Sequence, residues 1–356
     1  MAERERTVSR RATLVDVARD AGVSLATASR TLNGSVDRVV GAELRARVLA
    51  SAARLHYSPD ANAQATARGR TTTIGLVVHD IADPYFAAIA AGVTAAADRE
   101  GLVVTLASTG NDPGRELGFV ELLDRQRARA VILAGARMGR GIADDTAGSD
   151  AGLGTALARY RERSGAVATI GQAVGDLPGV LVANRDGAAE LARVVHDLGY
   201  RSFAILSGAG RNRSAADRVE GFVSALAGLG IDRASVAVVP SAFTRDGGYA
   251  GMRSLLESGT ARPEVVLAAN DVMAMGAITA ARDLGLSVPR DVAVTGFDDV
   301  PSAVDVMPAL TTVALPLARM GELAVGLALA TPDGDAPART TVTGVVRVRA
   351  STPRRP

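Results

Sequence analysis

The sequence contains no cysteine and no lysine, and it has only three histidines. Without cysteine there are no disulfides, zinc ribbons, iron–sulfur clusters or thiol nucleophiles. His56, His79 and His196 stand far apart in the chain and leave little for a metal site, so no cofactor is expected. No apolar run reaches membrane-spanning length. The first dozen residues, MAERERTVSRRA, lack the apolar stretch of a secretory signal. The chain is therefore expected to be soluble and cytoplasmic, with no membrane partner. Enzyme signatures are missing too: there is no GKS or GKT phosphate loop, no GxSxG elbow and no HExxH pair. Gly208-Ala209-Gly210 follows a strand-like run, but Arg213 occupies the third glycine position of a dinucleotide loop. No catalytic residues are assigned, and the chain is not expected to be an enzyme.

What is present is a long apolar chain with an uneven charge. Its 356 residues exceed one ordinary domain, and 47% apolar against 22% charged residues permit sizeable cores. All 40 basic residues are arginine. Residues 1–72 hold 12 of them against 7 acidic residues, a net of +5; residues 73–356 hold 28 against 31, a net of −3. A basic head on a mildly acidic body fits a head that meets a polyanion. It also fits arginine supplied by a GC-rich coding bias, with the asymmetry left to chance.

The pattern of the head narrows this choice. Thr13 can cap a helix, and Asp16 suits the helix's positive end. Leu14, Val17, Ala18 and Ala21 share one face, and Gly22 can end the helix in the left-handed conformation. Ser24 can cap a second helix, Leu25 to Asn33, with Ala28 and Leu32 inward and Leu25, Ala26, Ser29, Arg30 and Asn33 largely outward. Two short helices joined by a tight glycine turn form a helix-turn-helix. A third helix is predicted from about Ala42 to Leu55, with Leu44, Val48, Ala52 and Leu55 as its buried stripe.

The body alternates strand-like and helix-like runs. Strands are predicted at Ile74–Val78, Leu102–Leu106, Ala130–Leu133, Phe203–Leu206, Val236–Val239, Val265–Ala268 and Val292–Gly296. Such alternation argues for parallel α/β sheets, and its length argues for two lobes. Residues 137–154 are predicted to be a mobile loop.

TLVDVARDAGVSLATASRTLNG, followed by LHYSP, resembles the lactose-repressor (LacI) family of bacterial transcription regulators. The resemblance continues through IADPYF, DRVEGF, AANDVMAMGA, VAVTGFDD and PALTTV. It implies an all-α headpiece over residues 1–58, a hinge over 59–72 and a two-lobed body, like the periplasmic sugar-binding proteins, over 73–356. Lobe one would cover about 73–184 plus 313–342, and lobe two 185–312 plus 343–353, with crossovers near 183–186, 312–314 and 341–343. The resemblance further implies a homodimeric repressor on a near-palindromic, double-stranded DNA operator, controlled by a small effector between the lobes. A sugar is the first expectation for that effector; a nucleoside, or no effector, is the alternative.

Site residues carry over by position. Leu25, Ala26 and Arg30 would face base edges, and arginine can pair bidentately with guanine. Thr13, Ser24, Thr27, Ser29 and Asn33 would position the phosphates. Asn62, Gln64 and Thr66 would belong to a hinge helix in the minor groove, where Thr66 replaces the family's usual leucine wedge. In the cleft the resemblance implies Tyr85, Phe86, Ser214, Arg218, Phe243, Asn270 and Asp298. Phe86 fits a core role equally well, and Asn270 fits a helix cap. Gly171 and Leu315 stand where sugar responders often place polar contacts.

Overall fold

The computed structural model describes residues 12–33, 40–58, 71–135, 147–208, 212–259, 261–330 and 338–356. The expected hinge contacts Asn62, Gln64 and Thr66 lie outside the described residues. The chain divides into two compact units, residues 1–71 and 72–356.

Among its described residues the first unit has three helices: α1 (Leu14–Asp20), α2 (Leu25–Asn33) and α3 (Ala42–Arg54). Thr13 closes a reciprocal cap on α1. Its hydroxyl oxygen accepts from the Asp16 N–H at 3.3 Å, and its own N–H donates to Asp16 Oδ2 at 2.9 Å. Gly22, at φ +62°, turns the chain between α1 and α2. Arginines of α3 clamp that turn: Arg47 donates to the Ala21 carbonyl, and Arg54 pairs with Asp20. Val17, Ala18, Ala21, Ala28, Val48 and Ala52 form the core. Leu44 departs from the expected stripe and is 39% exposed. The buried positions of α3 begin at Val48, so this small bundle covers only the later turns of the helix.

The second unit is built on two wholly parallel sheets. The first has six strands: β1 (Thr73–Val78), β2 (Val103–Ser108), β3 (Ala130–Ala134), β4 (Ala166–Gly171), β5 (Gly179–Val182) and β11 (Arg339–Val342). Their order is β11-β5-β4-β3-β1-β2. The helices between them are α4 (Pro84–Arg99), α5 (Pro113–Arg125) and α6 (Ala147–Glu162). The second sheet contains β6 (Phe203–Leu206), β7 (Ala237–Val239), β8 (Val265–Ala268) and β9 (Ala293–Thr295), in the order β7-β6-β8-β9. Around it run α7 (Asn184–Asp197), α8 (Arg213–Gly228), α9 (Arg245–Glu257) and α10 (Asp271–Asp283). A separate antiparallel pair, β10 (Thr312–Ala314) and β12 (Val345–Arg347), carries the chain between the sheets. The helix α11 (Leu317–Leu329) follows β10 and packs against α4, β3 and β4 of the first sheet.

The two parallel sheets match the expected architecture. Strands β4, β5 and β10–β12 were not among the strands read from the sequence. Residues 147–154, expected in a mobile loop, begin α6 instead. The strong helix formers Ala147, Ala151, Leu153 and Ala156 outweigh the glycines at 148, 152 and 154. Close helix packing depends on glycine at one conspicuous contact: a Cβ on Gly92 of α4 would lie 1.8 Å from the Ala318 carbonyl oxygen of α11.

Candidate functional site

On the head, the start of α2 is exposed. Leu25 is 49% exposed and Ala26 is exposed beside it. Ser24 Oγ accepts from the Thr27 N–H at 3.1 Å and lies 2.8 Å from Thr27 Oγ1, so both hydroxyls serve the cap. Thr13 is committed similarly, with its hydroxyl donating to Asp16 Oδ2 at 2.7 Å. Arg30 folds back, its Nε donating to the Ala26 carbonyl at 3.0 Å, which leaves its terminal nitrogens available for an acceptor. Ser29 is half-buried on the same helix, and Asn33 ends it. The structure thus groups Leu25, Ala26 and Arg30 along the first turns of one helix, the part that docks into a major groove in helix-turn-helix proteins.

In the body, the ends of β4, β8 and β9 and the starts of α4 and α8 converge on Arg218, at the carboxyl ends of parallel strands where ligands usually bind in α/β sheets. Arg218 lies in α8, 3% exposed, and spends three nitrogens on protein acceptors. Nε donates to Asn184 Oδ1, Nη1 to the Ala269 carbonyl and Nη2 to Asp298 Oδ1, each at 2.8 Å. Its guanidinium carbon stands 3.8 Å from the Phe297 ring centroid and 5.9 Å from that of Phe243. A buried arginine is tolerable only with such full pairing. Phe243 is held against Gly208, where φ is +73° and a Cβ would meet the ring at 2.7 Å.

Asp298 sits on a turn that β10 holds in place. Its N–H donates to the Val313 carbonyl at 2.9 Å, and its carbonyl accepts from Leu315 N at 3.2 Å. Both Asp298 and Asp299 have positive φ, +113° and +56°, a costly conformation for residues other than glycine. Tyr85 approaches from the other side, at the start of α4. Its hydroxyl is pushed up in pKa, first by burial and then by the Asp298 carboxylate, with Arg218 opposing. Asp83, the N-cap of α4, accepts from the Tyr85 N–H at 2.9 Å, and burial raises its carboxyl as well. Deeper, Asp271 accepts from Thr312 Oγ1 at 2.5 Å and from Val300 N at 2.9 Å; burial and the nearby Asp298 raise its carboxyl well above the ordinary range.

The structure therefore brings Tyr85, Ser214, Arg218, Phe243 and Asp298 together. Two other expected contacts also serve the fold. Phe86 is 7% exposed and belongs to the core, because its phase on α4 turns the ring inward, edge-on to His79 and Tyr85. Asn270 is 2% exposed and caps α10, its Oδ1 accepting from Met273 N at 2.9 Å. Three residues not read from the sequence join the site. Asn184 and Phe297 hold Arg218, and Gln172 Nε2 donates to Ser214 Oγ at 3.4 Å, linking the end of β4 to the start of α8. Phe297 directly precedes Asp298 in the VAVTGFDD segment, which was the available signal. Asn184 and Gln172 carried none.

Burial pushes the Asp298 carboxyl up to about 6 from an ordinary 3.8, against the pull of Arg218. The folded chain then keeps a proton between these values that the unfolded chain releases. This stabilising contribution is present at the acid end and is lost as pH rises through about 6. Two pKa units correspond to about 3 kcal/mol. The stability difference between the parent chain and Asp298→Asn should accordingly change by that order between pH 4 and 6.5, measured by denaturant unfolding. A pH-independent difference would contradict the assignment.

Among the described residues, no cluster of three or more acidic or histidine side chains is arranged to hold a metal, and no helix is long and apolar enough to cross a membrane.

Two family descriptions match the chain: "Bacterial regulatory proteins, lacI family" over residues 13–60, and "Periplasmic binding protein-like domain" over residues 192–352. The chain is 33% identical over 319 residues to the HTH-type transcriptional repressor PurR of Pectobacterium atrosepticum, covering 89% of each. It is 34% identical over 322 residues to the HTH-type transcriptional regulator GalS of Salmonella typhimurium, again covering 89% of each. Among solved structures, a transcriptional regulator CelR–cellobiose complex aligns with a TM-score of 0.66 at 29% identity, over 96% of this chain and 100% of that one. The Lac repressor dimer bound to operator and the anti-inducer ONPF shares the fold, with a TM-score of 0.79 at 24% identity, over 97% and 100%.

Proposed function

The chain belongs to the LacI family of DNA-binding bacterial regulators, and on that premise we propose that it is a homodimeric repressor released or engaged by a small polyhydroxylated effector. The head, residues 1–58, reads one half of a near-palindromic operator, and residues 59–72 act as the hinge. The body, 73–356, holds the effector between lobes formed by about 73–184 with 313–342 and by 185–312 with 343–353.

The observation that carries the effector reading is the Arg218 assembly. Its guanidinium is fixed on Asn184, Ala269 and Asp298, and Tyr85 lies close enough to feel the charges of both Arg218 and Asp298. Planar donors and acceptors pair with hydroxyls, and the Phe243 ring offers an apolar face. A sugar is the first reading of that chemistry. A nucleoside is the second, because relatives named PurR stand beside GalS among the similar chains. A thermal-shift screen against sugars and nucleosides tests the proposal, since a ligand that binds only the folded state raises stability.

On the DNA side, Leu25, Ala26 and Arg30 are the base-reading residues of this proposal. Thr13, Ser24, Thr27, Ser29 and Asn33 set the register against phosphates. Arg30→Ala should weaken specific binding by about 1–3 kcal/mol and relax the preference at one position per half-site. Equal losses on operator and random DNA, in parallel anisotropy titrations, would make Arg30 a phosphate contact instead.

A further inference from the structure

Asp298 is followed by a second acid, Asp299, that the proposed effector chemistry does not use. Asp299 forms an ion pair with Arg349, Oδ1 to Nη1 at 2.7 Å, with the two side chains 22% and 19% exposed. Two consecutive carboxylates thus meet two arginines from different parts of the chain: Arg218 in α8, and Arg349 just beyond β12.

Both acids take positive φ, a conformation that persists only where the surroundings enforce it. The main chain of the turn is tied at three successive N–H groups. Asp298 N donates to the Val313 carbonyl at 2.9 Å, Asp299 N to Thr312 Oγ1 at 3.4 Å and Val300 N to Asp271 Oδ2 at 2.9 Å. The middle bond is the longest and therefore the weakest, so the pair with Arg349 is the firmer hold on residue 299.

Arg349 is itself firmly seated. Its Nη1 also donates to the Leu310 carbonyl at 2.8 Å, and its N–H donates to Thr311 Oγ1 at 2.8 Å. Ser351 and Thr352, both fully buried, fix the residues that follow. Ser351 Oγ donates to the Val294 carbonyl at 2.7 Å, and Thr352 Oγ1 to Thr311 Oγ1 at 2.7 Å. An exposed ion pair spends its energy on ordering two mobile side chains, whereas this one starts from a fixed backbone.

We infer that Arg349 is a positioning residue for the effector contact Asp298: it holds Asp299, and with it the turn that presents the Asp298 carboxylate to Arg218 and to ligand. Taking Asp298 as an effector contact rests on the function proposed above. The clamp also ties the site to the segment between the sheets, since the chain leaves the first sheet at β11 and reaches Arg349 through β12.

The test uses the full chain carrying Arg349→Gln, which keeps a donor for the Leu310 carbonyl but gives up the charge on Asp299; Arg349→Ala is the second variant. Thermal-shift titrations with glucose, cellobiose, ribose and adenosine read affinity. A probe that stabilises the parent chain should bind Arg349→Gln about tenfold more weakly, the lower end of what the outer partners of metal ligands are worth. Arg349→Lys should recover part of the loss. Unchanged affinity in the folded variants would overturn the inference. A ligand-free arm is a double-mutant cycle of Arg349→Gln with Arg218→Lys, read by urea unfolding. The lysine keeps the charge at 218, so the cycle reads the geometry of the turn rather than direct attraction; Asp298→Asn takes its place if Arg218→Lys does not fold. The two effects should depart from independence by about threefold or more in the unfolding equilibrium constant. Independent effects would make Arg349 a purely structural partner and overturn the inference. If no probe stabilised the parent chain, the sugar-or-nucleoside reading of the cleft would fall, and the cycle alone would decide the role of Arg349.

Discussion

A fragment of residues 72–356 should lose specific operator binding by about a thousandfold or more, while still folding and still binding effector. Specific DNA complexes are typically about 10³–10⁷ tighter than non-specific ones, and the base contacts proposed here all lie in the removed part. Electrostatics acts in the same direction. DNA affinity depends on basic side chains that displace counterions. The first 72 residues carry a net +5, whereas residues 73–356 carry −3. The body is a compact unit with its own sheets and core, and the cut at Thr71 severs no element among the described residues. Gel retardation at physiological salt, paired with a thermal-shift assay, reads both halves of the expectation. Retardation of operator by the fragment would show that the body contributes to recognition.

The second large effect is expected at Arg218. Arg218→Ala should destabilise the body by about 3–5 kcal/mol, the cost of breaking a buried pair from one side. The substitution strands the Asp298 carboxylate, which is 4% exposed, and removes the donors that satisfy Asn184 Oδ1 and the Ala269 carbonyl. It also takes away the cation stacked on Phe297. Arg218→Lys should restore little of this. A lysine offers one ammonium and cannot reach three acceptors with the planar fork of a guanidinium. Adding Asp298→Asn to Arg218→Ala should recover part of the loss, because it removes the stranded charge. Urea unfolding of the four chains gives the coupling energy, and an additive pair would argue against a shared network.

Much of this was legible in the sequence where local chemistry decides the outcome. Thr13, Asp16, Gly22 and Ser24 adopt the caps and turn that their side chains favour. The apolar runs of β3, β6 and β8 stand out because strands covered on both faces are continuously apolar. Arg218 was found through the resemblance of the DRVEGF segment. What long-range packing decides was not legible. Asn184 is 34 residues from Arg218 and meets it only because α7 and α8 pack together. Tyr85 and Phe86 are neighbours in sequence, and only the seating of α4 decides which one faces the cleft and which the core. Asn270 fitted a helix cap as well as a ligand contact, and its hydrogen bond with Met273 N shows the cap. Leu44 had the right spacing for a core position, but the bundle is too small to cover it.

In the proposed function, ligand held at Arg218 controls the DNA-reading head. The most direct measurement is an operator titration at fixed salt. The operator comes from selection on random DNA, with and without the ligand that stabilises the parent chain most. Coupling between sites of this kind is typically about 1–3 kcal/mol, so effector should change operator affinity about 5- to 150-fold. The same ligand should leave the operator affinity of a folded Arg218→Ala, Asp298→Asn chain unchanged. An unaltered operator affinity in the parent chain at saturating ligand, or an equal response in the double variant, would contradict the account.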